Sequence, residues 1–255
     1  MTTVVDRFLD ACKMKIDQIQ EQYNLKDSQN LNVEEELSAD SILSYFILEE
    51  SDPKRIERES VYPWIRYYWD NIRSILDLLR LNAPMEELYH SVCIRAFAFC
   101  TTYNRVNEFI TLRKTLHKHL DYIMNPSSDA ASNRFRVIWG AKTAEKQIET
   151  RFAQLKAACS MQLWSEAFNI MTDMCAIFNV IHLPLPIEYY QYLTVCFWNI
   201  RNHLYHALAE VKSLAANKKS NKELTEEALV SLSCEAIVAS LCIPTYSPVC
   251  FVMVD

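Results

Sequence analysis

The feature that most constrains the fold of this chain is its near lack of glycine. Of its 255 residues one is glycine, Gly140, whereas an average usage of roughly 7% would give about eighteen. Glycine supplies the positive φ angles of tight hairpins, phosphate-binding loops and nucleophile elbows. The sequence therefore disfavours an all-β fold, a dinucleotide-binding fingerprint and a P-loop, and it favours long α-helices.

Apolar residues recur at helical spacing along most of the chain, which predicts an all-α fold. We expect three parts. Residues 1–60 form a helix plus an acidic connection, residues 61–244 form a helical-repeat array, and residues 245–255 form an apolar tail. The predicted helices cover residues 3–23, 41–50, 60–82, 85–101, 105–123, 135–158, 161–178, 187–213 and 223–242.

A weak internal repeat supports a helical array. In three places a cysteine precedes an aromatic residue by nine positions: Cys100 and Phe109, Cys159 and Phe168, and Cys196 and Tyr205. The second and third pairs are offset by 37 residues, close to the length of a tetratricopeptide hairpin of about 34 residues. Because stacked helical hairpins bury one continuous core, the chain is predicted to be a right-handed α-solenoid of the tetratricopeptide or PCI type.

The aromatic-rich stretch SVYPWIRYYWDNIRSILDLLR, residues 60–80, is predicted to be a helix with a wide apolar arc. Aromatic side chains this dense either stack on nucleic-acid bases or fill a core. On a helical wheel centred on Trp64, the arginines fall opposite the aromatic residues, whereas base stacking needs both on one exposed face. We therefore predict core packing. The predicted core residues of the whole chain are Trp64, Tyr68, Trp69, Leu79, Phe109, Trp164, Phe168 and Trp198.

The net charge of −6 is distributed unevenly. Residues 1–60 carry fourteen acids and seven bases, whereas residues 102–151 carry nine bases and five acids. A basic centre within an acidic chain has two interpretations, namely solvated helix faces or contact with RNA phosphates. The residues that would contact RNA are Arg105, Arg113, Lys114, Lys118, Arg134 and Arg136.

The sequence predicts neither catalysis nor a bound cofactor or metal ion. No paired-carboxylate, Ser/His/Asp or Cys/His signature stands out, and His203 and His206 lack a third ligand at metal-binding spacing. The nine cysteines form no CxxC pair and lie mostly among apolar residues, which indicates free thiols in a reducing compartment. No uncharged apolar stretch of about 20 residues occurs, so we expect no membrane span. A cytoplasmic protein without enzymatic activity is predicted.

Several short blocks carry a family resemblance between residues 61 and 244. They are Pro63-Trp64, Trp69, LDLLR (76–80), LYH (88–90), AFAFC (96–100), Tyr103, EF (108–109), Leu116, HL (119–120), ETRFAQL (149–155), LWSEAF (163–168), FW (197–198) and ASLCIP (239–244). In order and spacing these blocks resemble the family of the largest subunit, designated A, of eukaryotic translation initiation factor 3. Residues 1–60 fit that family loosely, and the apolar tail lacks its polar continuation.

The resemblance implies a scaffold of the factor 3 complex, which associates with mRNA or rRNA and with the small (40S) ribosomal subunit during translation initiation. It implies other factor 3 subunits as partners, above all the PCI-containing one designated C, and no membrane. The second interpretation is a PCI or tetratricopeptide-like scaffold subunit of the proteasome lid or the signalosome, which shares the architecture but serves another process.

Overall fold

The computed structural model describes residues 2–22, 61–80, 82–125, 137–220 and 225–244. Within these ranges the chain forms helices joined by short links and contains no β-strand, so the all-α prediction is confirmed. A short 3-10 turn, Ala83–Met85, precedes the third helix. The helices are α1 (Thr2–Gln22), α2 (Tyr62–Leu79), α3 (Glu86–Thr102), α4 (Val106–Met124), α5 (Ala141–Ser160), α6 (Trp164–Val180), α7 (Ile187–Asn199), α8 (His203–Ser220) and α9 (Glu226–Leu241).

Most predicted helix boundaries agree with the structure to within a few residues, but two of the predicted helices differ from it. The single helix predicted over 187–213 is two helices, α7 and α8, and α8 continues through residues that were predicted to be a loop. Helix α5 begins at Ala141 rather than at residue 135. The helix predicted over 41–50 lies outside the described residues.

The first of two compact units, Met1–Met161, contains α1–α5 and is organised around α3. Helix α3 packs against α2, α4 and α5, and α1 packs against α2. Arg95 of α3 pairs with Asp6 of α1 at 3.3 Å, and the Tyr103 hydroxyl donates to Asp17 of α1 at 3.0 Å. These contacts place α1 in the same unit as the first part of the predicted array.

The second compact unit, Gln162–Asp255, contains α6–α9, and each of these helices packs against the next. The Tyr189 hydroxyl of α7 donates to the Met171 carbonyl of α6 at 3.3 Å. The Thr225 hydroxyl caps α9 by accepting from the Ala228 amide at 3.4 Å. Small side chains permit close approach of helices, and the buried residues of α8 and α9 include Ala207, Ala209, Ala236 and Ala239.

Residues Tyr62–Leu79 of the aromatic-rich stretch form α2, which has a buried side and an exposed side. Trp69 stacks on Phe99 of α3 with ring centroids 6.2 Å apart and planes 16° apart. Tyr68 lies 4.9 Å from the same ring. Proline suits the first turn of a helix, and Pro63 lies there. The buried residues of α2 are Ile65, Tyr68, Trp69, Ile72, Leu76 and Leu79.

Trp64 is 37% exposed, so its assignment to the core is wrong. At about 100° per residue, the buried stripe of α2 is centred about 90° from Trp64. The apolar arc is wider than one helix contact, and a helical wheel therefore cannot show which half of it is buried. Trp64 packs edge-on against Tyr67 at 6.1 Å, and Tyr67 is exposed as well.

Two further predicted core residues are exposed, both in the second unit. Phe168 is 42% exposed and Trp198 is 58% exposed. Each packs against a neighbouring ring near the surface, Phe168 against Phe197 at 5.7 Å and Trp198 against His206 at 5.2 Å. Their hydrophobicity predicts an apolar contact but not its depth. Trp164 is half-buried, and Phe109 is fully buried.

Helix ends in this chain use left-handed residues that are not glycine. Asn104, Gln162, His182 and Arg201 have φ values of 48°, 58°, 54° and 61°. After Arg201, the Asn202 amide donates to the Phe197 carbonyl at 3.0 Å, and the ends at Asn104 and His182 close in the same way. This Schellman arrangement usually places glycine at the left-handed position. Tight helix ends therefore form in this chain without glycine, at a cost in backbone strain.

Three of these left-handed residues lie in the links that the cysteine–aromatic repeat spans. Each link has three residues, 103–105, 161–163 and 200–202, and its central residue is the left-handed one. In each case the cysteine lies in the last turn of one helix and the aromatic residue lies near the start of the next. The repeat in the sequence therefore marks helix–turn–helix junctions.

Replacing Arg201 with glycine should stabilise the chain. Glycine avoids the clash that costs other residues roughly 1–2 kcal/mol at positive φ, and after its greater loss of entropy we expect a net gain of about 0.5 to 1 kcal/mol. The matched control is Lys212→Gly, at an exposed position inside α8, which should cost about 1 kcal/mol. Urea-induced unfolding measures both changes. Equal destabilisation by the two substitutions would show that Arg201 is not strained.

Candidate functional site

The outward face of α4 carries part of the basic cluster that was predicted to contact RNA. Lys114 and Lys118 lie one turn apart and are exposed, and Arg113 beside them is half-buried. Asp121 lies seven residues after Lys114, on the same side of the helix, and lowers the positive charge of the last turn. The opposite face of α4 is packed into the unit through Leu112, Leu116, Leu120 and Ile123.

Arg105 does not belong to this exposed face. It is the residue that precedes α4 and is only 2% exposed. Its amide donates to the Cys100 carbonyl at 2.8 Å, and its carbonyl accepts from the Phe109 amide at 3.1 Å. An enclosed guanidinium cannot reach a phosphate at the surface, which differs from the role predicted for Arg105. Arg134 and Arg136 lie outside the described residues.

Arg151 of α5 is a second base of the same segment that is buried, again only 2% exposed. Its Nη1 donates to Oε1 of Gln154 at 2.7 Å, and its Nη2 donates to the Leu116 carbonyl of α4 at 2.8 Å. A buried charge is tolerated when hydrogen bonds replace its water. The positive charge of Arg151 therefore ties α5 to α4 and is not available at the surface.

A buried histidine joins α3 to α5. Nδ1 of His90 lies 2.6 Å from Oγ1 of Thr150. Burial, with the added repulsion of Lys146 and Arg151, lowers the pKa of His90 to about 4. The imidazole is therefore neutral at pH 7 and takes part in the interior as an uncharged hydrogen-bonding group.

A tyrosine–histidine–aspartate chain joins α3, α4 and α2. The Tyr89 hydroxyl lies 3.1 Å from Nδ1 of His119, whose Nε2 lies 3.3 Å from Oδ1 of Asp77. Burial lowers the pKa of His119, Arg80 lowers it further, and Asp77 opposes both. Burial also raises the pKa of Tyr89 well above its ordinary value, so the phenol stays protonated and can donate to His119.

This chain of side chains resembles a proton relay, but its surroundings favour a structural role. The cavity beside Tyr89 and His90 measures about 10 Å³, and a single water needs about that volume, so a substrate does not fit. The part of the chain that the structure describes holds no group of three or more His, Cys, Asp or Glu residues that could bind a metal ion. Sequence patterns missed this chain of side chains because Asp77, Tyr89 and His119 come from three different helices.

Acidification should destabilise the first unit through His90. Below the ordinary pKa of 6.5, the unfolded chain takes up a proton that the folded chain excludes down to about pH 4. The contribution of neutral His90 to the free energy of unfolding is therefore fully present above pH 6.5. It is lost as the pH falls toward 4, by up to about 3 kcal/mol in total.

The replacement His90→Asn keeps a polar atom near Thr150 and removes the titration. Urea unfolding at pH 7 and pH 5 should show a smaller loss of stability in this variant than in the unchanged chain, whatever its stability at pH 7. The matched control is His117→Asn, at an exposed position of α4, which should leave the loss unchanged. The same loss with His90→Asn would exclude His90 as its source.

Residues 1–250 match the family model described as eIF3a, PCI domain, TPR-like region. The chain belongs to this family. The match begins at residue 1, so it includes residues 1–60, which fitted the family only loosely in the sequence. It supports the helical-repeat class that was predicted and favours initiation factor 3 over the proteasome lid or signalosome.

Relatives in distant organisms carry one name, that of the eukaryotic translation initiation factor 3 subunit designated A. The protein of Culex quinquefasciatus is 34% identical over 209 residues, which are 80% of this chain and 18% of the relative. That of Nicotiana tabacum is 34% identical over 217 residues, 81% of this chain and 22% of the relative. That of Homo sapiens is 30% identical over 225 residues, 87% of this chain and 16% of the relative.

The chain thus spans about a fifth of the length of these relatives. The matched names are those of part of an initiation factor rather than of an enzyme. Among the described helices, none has the length and hydrophobicity that crossing a membrane requires.

Proposed function

We propose that this chain is a scaffold module of eukaryotic translation initiation factor 3, acting in the cytoplasm without catalysis of its own. The observation that carries the proposal is the family match over residues 1–250. The architecture supports it, because helices in series present many side-chain faces to partners. The buried network of Arg151, His90 and His119 supports it further, since it fixes the relative positions of α2–α5.

The proposed partners are the small (40S) ribosomal subunit and the other factor 3 subunits, especially the one designated C (eIF3c). A tagged form of the chain should retain recombinant eIF3c in a pull-down, and the assembled complex should sediment with purified 40S particles. The matched control is a PCI protein of the proteasome lid, which should not be retained. Retention of the lid protein with loss of eIF3c would contradict the proposal.

A direct contact with mRNA or rRNA is a second part of the proposal. It is supported by Lys114 and Lys118, which are exposed one turn apart on α4 with Arg113 beside them. Because Arg105 and Arg151 are buried, the basic surface is smaller than the sequence predicts. We therefore expect weak, sequence-independent binding that depends on phosphate neutralisation and falls as salt is raised.

The double substitution Lys114→Glu and Lys118→Glu should lower the affinity for single-stranded RNA by about tenfold or more at low salt and flatten its salt dependence. Fluorescence anisotropy at two salt concentrations measures both effects. The control is Lys156→Glu, an exposed position on α5 in the same unit, which should have a smaller effect. If the two variants lowered the affinity equally, the exposed face of α4 would not be the surface that contacts RNA.

A further inference from the structure

An apolar groove crosses three helices of the second unit. It measures about 290 Å³. Each helix contributes one row of side chains at helical spacing, since the lining residues are Phe168, Thr172 and Cys175 of α6, Tyr189, Leu193 and Phe197 of α7, and Tyr205, Leu208, Ala209 and Lys212 of α8. The ends of the α8 row, Tyr205 and Lys212, are seven positions apart, which corresponds to about 10 Å or two helical turns.

The groove is open to solvent although its walls are apolar. Tyr205 is 51% exposed and Leu208 is 50% exposed. Phe197 lies between Phe168 and Tyr205, with ring centroids at 5.7 and 5.4 Å, so one end of the groove is a continuous aromatic wall. Exposed apolar surface of this kind marks an interaction site. Its rows of apolar side chains at helical spacing suit the apolar side of another helix, which binds through residues at i, i+3 or i+4, and i+7.

The charge at the other end of the groove selects among possible occupants. Lys212 lines that end, and Lys219 follows seven residues later on the same side of α8, also exposed. The described residues of this unit nevertheless carry seven acids and four bases. A nucleic acid presents a phosphate at every nucleotide and needs a broad cationic surface, whereas a helix with carboxylates at one end needs cations in one place. Charge complementarity therefore favours a protein over RNA.

We propose that the groove of the second unit binds an amphipathic helix of another initiation factor 3 subunit. The apolar residues of that partner helix pack against Phe168, Phe197 and Leu208, and an Asp or Glu at one end of the partner helix pairs with Lys212. This inference rests on the proposed role in complex assembly and adds to it the surface and the chemistry of one contact.

The test uses the chain assembled with recombinant factor 3 subunits. The photoreactive residue p-benzoylphenylalanine at position 208 should crosslink to a segment of another subunit that has apolar residues at 4-3 spacing and an acidic residue at one end. The matched control has the same residue at position 211. Val211 is 45% exposed on the same helix but does not line the groove, so that crosslink should be absent.

A synthetic peptide of the crosslinked segment then tests the charge. Lys212→Glu should weaken its binding by about tenfold, because two like charges would oppose each other. Lys218→Glu, an exposed position about 120° around α8 from Lys212 and outside the groove lining, should change binding by less than about twofold. Circular dichroism checks that both variants remain folded.

Several outcomes would overturn the inference. They are the absence of a crosslink at position 208, a crosslink to RNA, to the same chain or to a second copy of it, and peptide binding that does not respond to Lys212→Glu. If the unchanged chain still assembles with the other factor 3 subunits in those cases, the proposed scaffold function stands without this groove. Failure of the unchanged chain to assemble with the other subunits would contradict both the scaffold function and the proposed role of the groove.

Discussion

The first unit depends on polar side chains that form hydrogen bonds between helices in its interior. Arg151 donates to a carbonyl of α4, His90 contacts Thr150 on α5, and His119 connects α3 to α2 through Tyr89 and Asp77. A buried polar group without a partner costs roughly twice what a satisfied one contributes. Apolar packing alone tolerates sliding of one helix along another, but these hydrogen bonds form in one register. The network therefore fixes which faces of α2–α5 remain outside.

That interior also limits what the surface can do. Arg105 and Arg151, two bases of the basic segment 102–151, are buried. The bases at the surface of α4 are Lys114, Lys118 and the half-buried Arg113. Apolar side chains lie at the surface of both units, for example Leu78 in the first and Tyr205 and Leu208 in the second. Hydrophobicity alone therefore does not separate the interior of this chain from its surface.

Agreement between sequence and structure differs from element to element. Long periodic segments such as α3 and α4 are predicted to within a residue or two, because one periodicity covers many residues. The break between α7 and α8 was missed, because Arg201 adopts a left-handed conformation that nothing in its residue type predicts. The cysteine–aromatic repeat nevertheless marked that junction, and it is the signal that could have corrected the helix boundary.

By itself, the sequence determined the all-α class, the family and the positions of most helices, because periodicity, glycine content and residue order are local properties of the chain. Only the tertiary structure decided that Trp69 is buried while Trp64 and Trp198 are exposed, and that Arg105 and Arg151 are interior. The physical reason is that burial depends on which neighbour covers a helix face. Two tryptophans five residues apart have the same hydrophobicity, and α3 supplies Phe99 to Trp69.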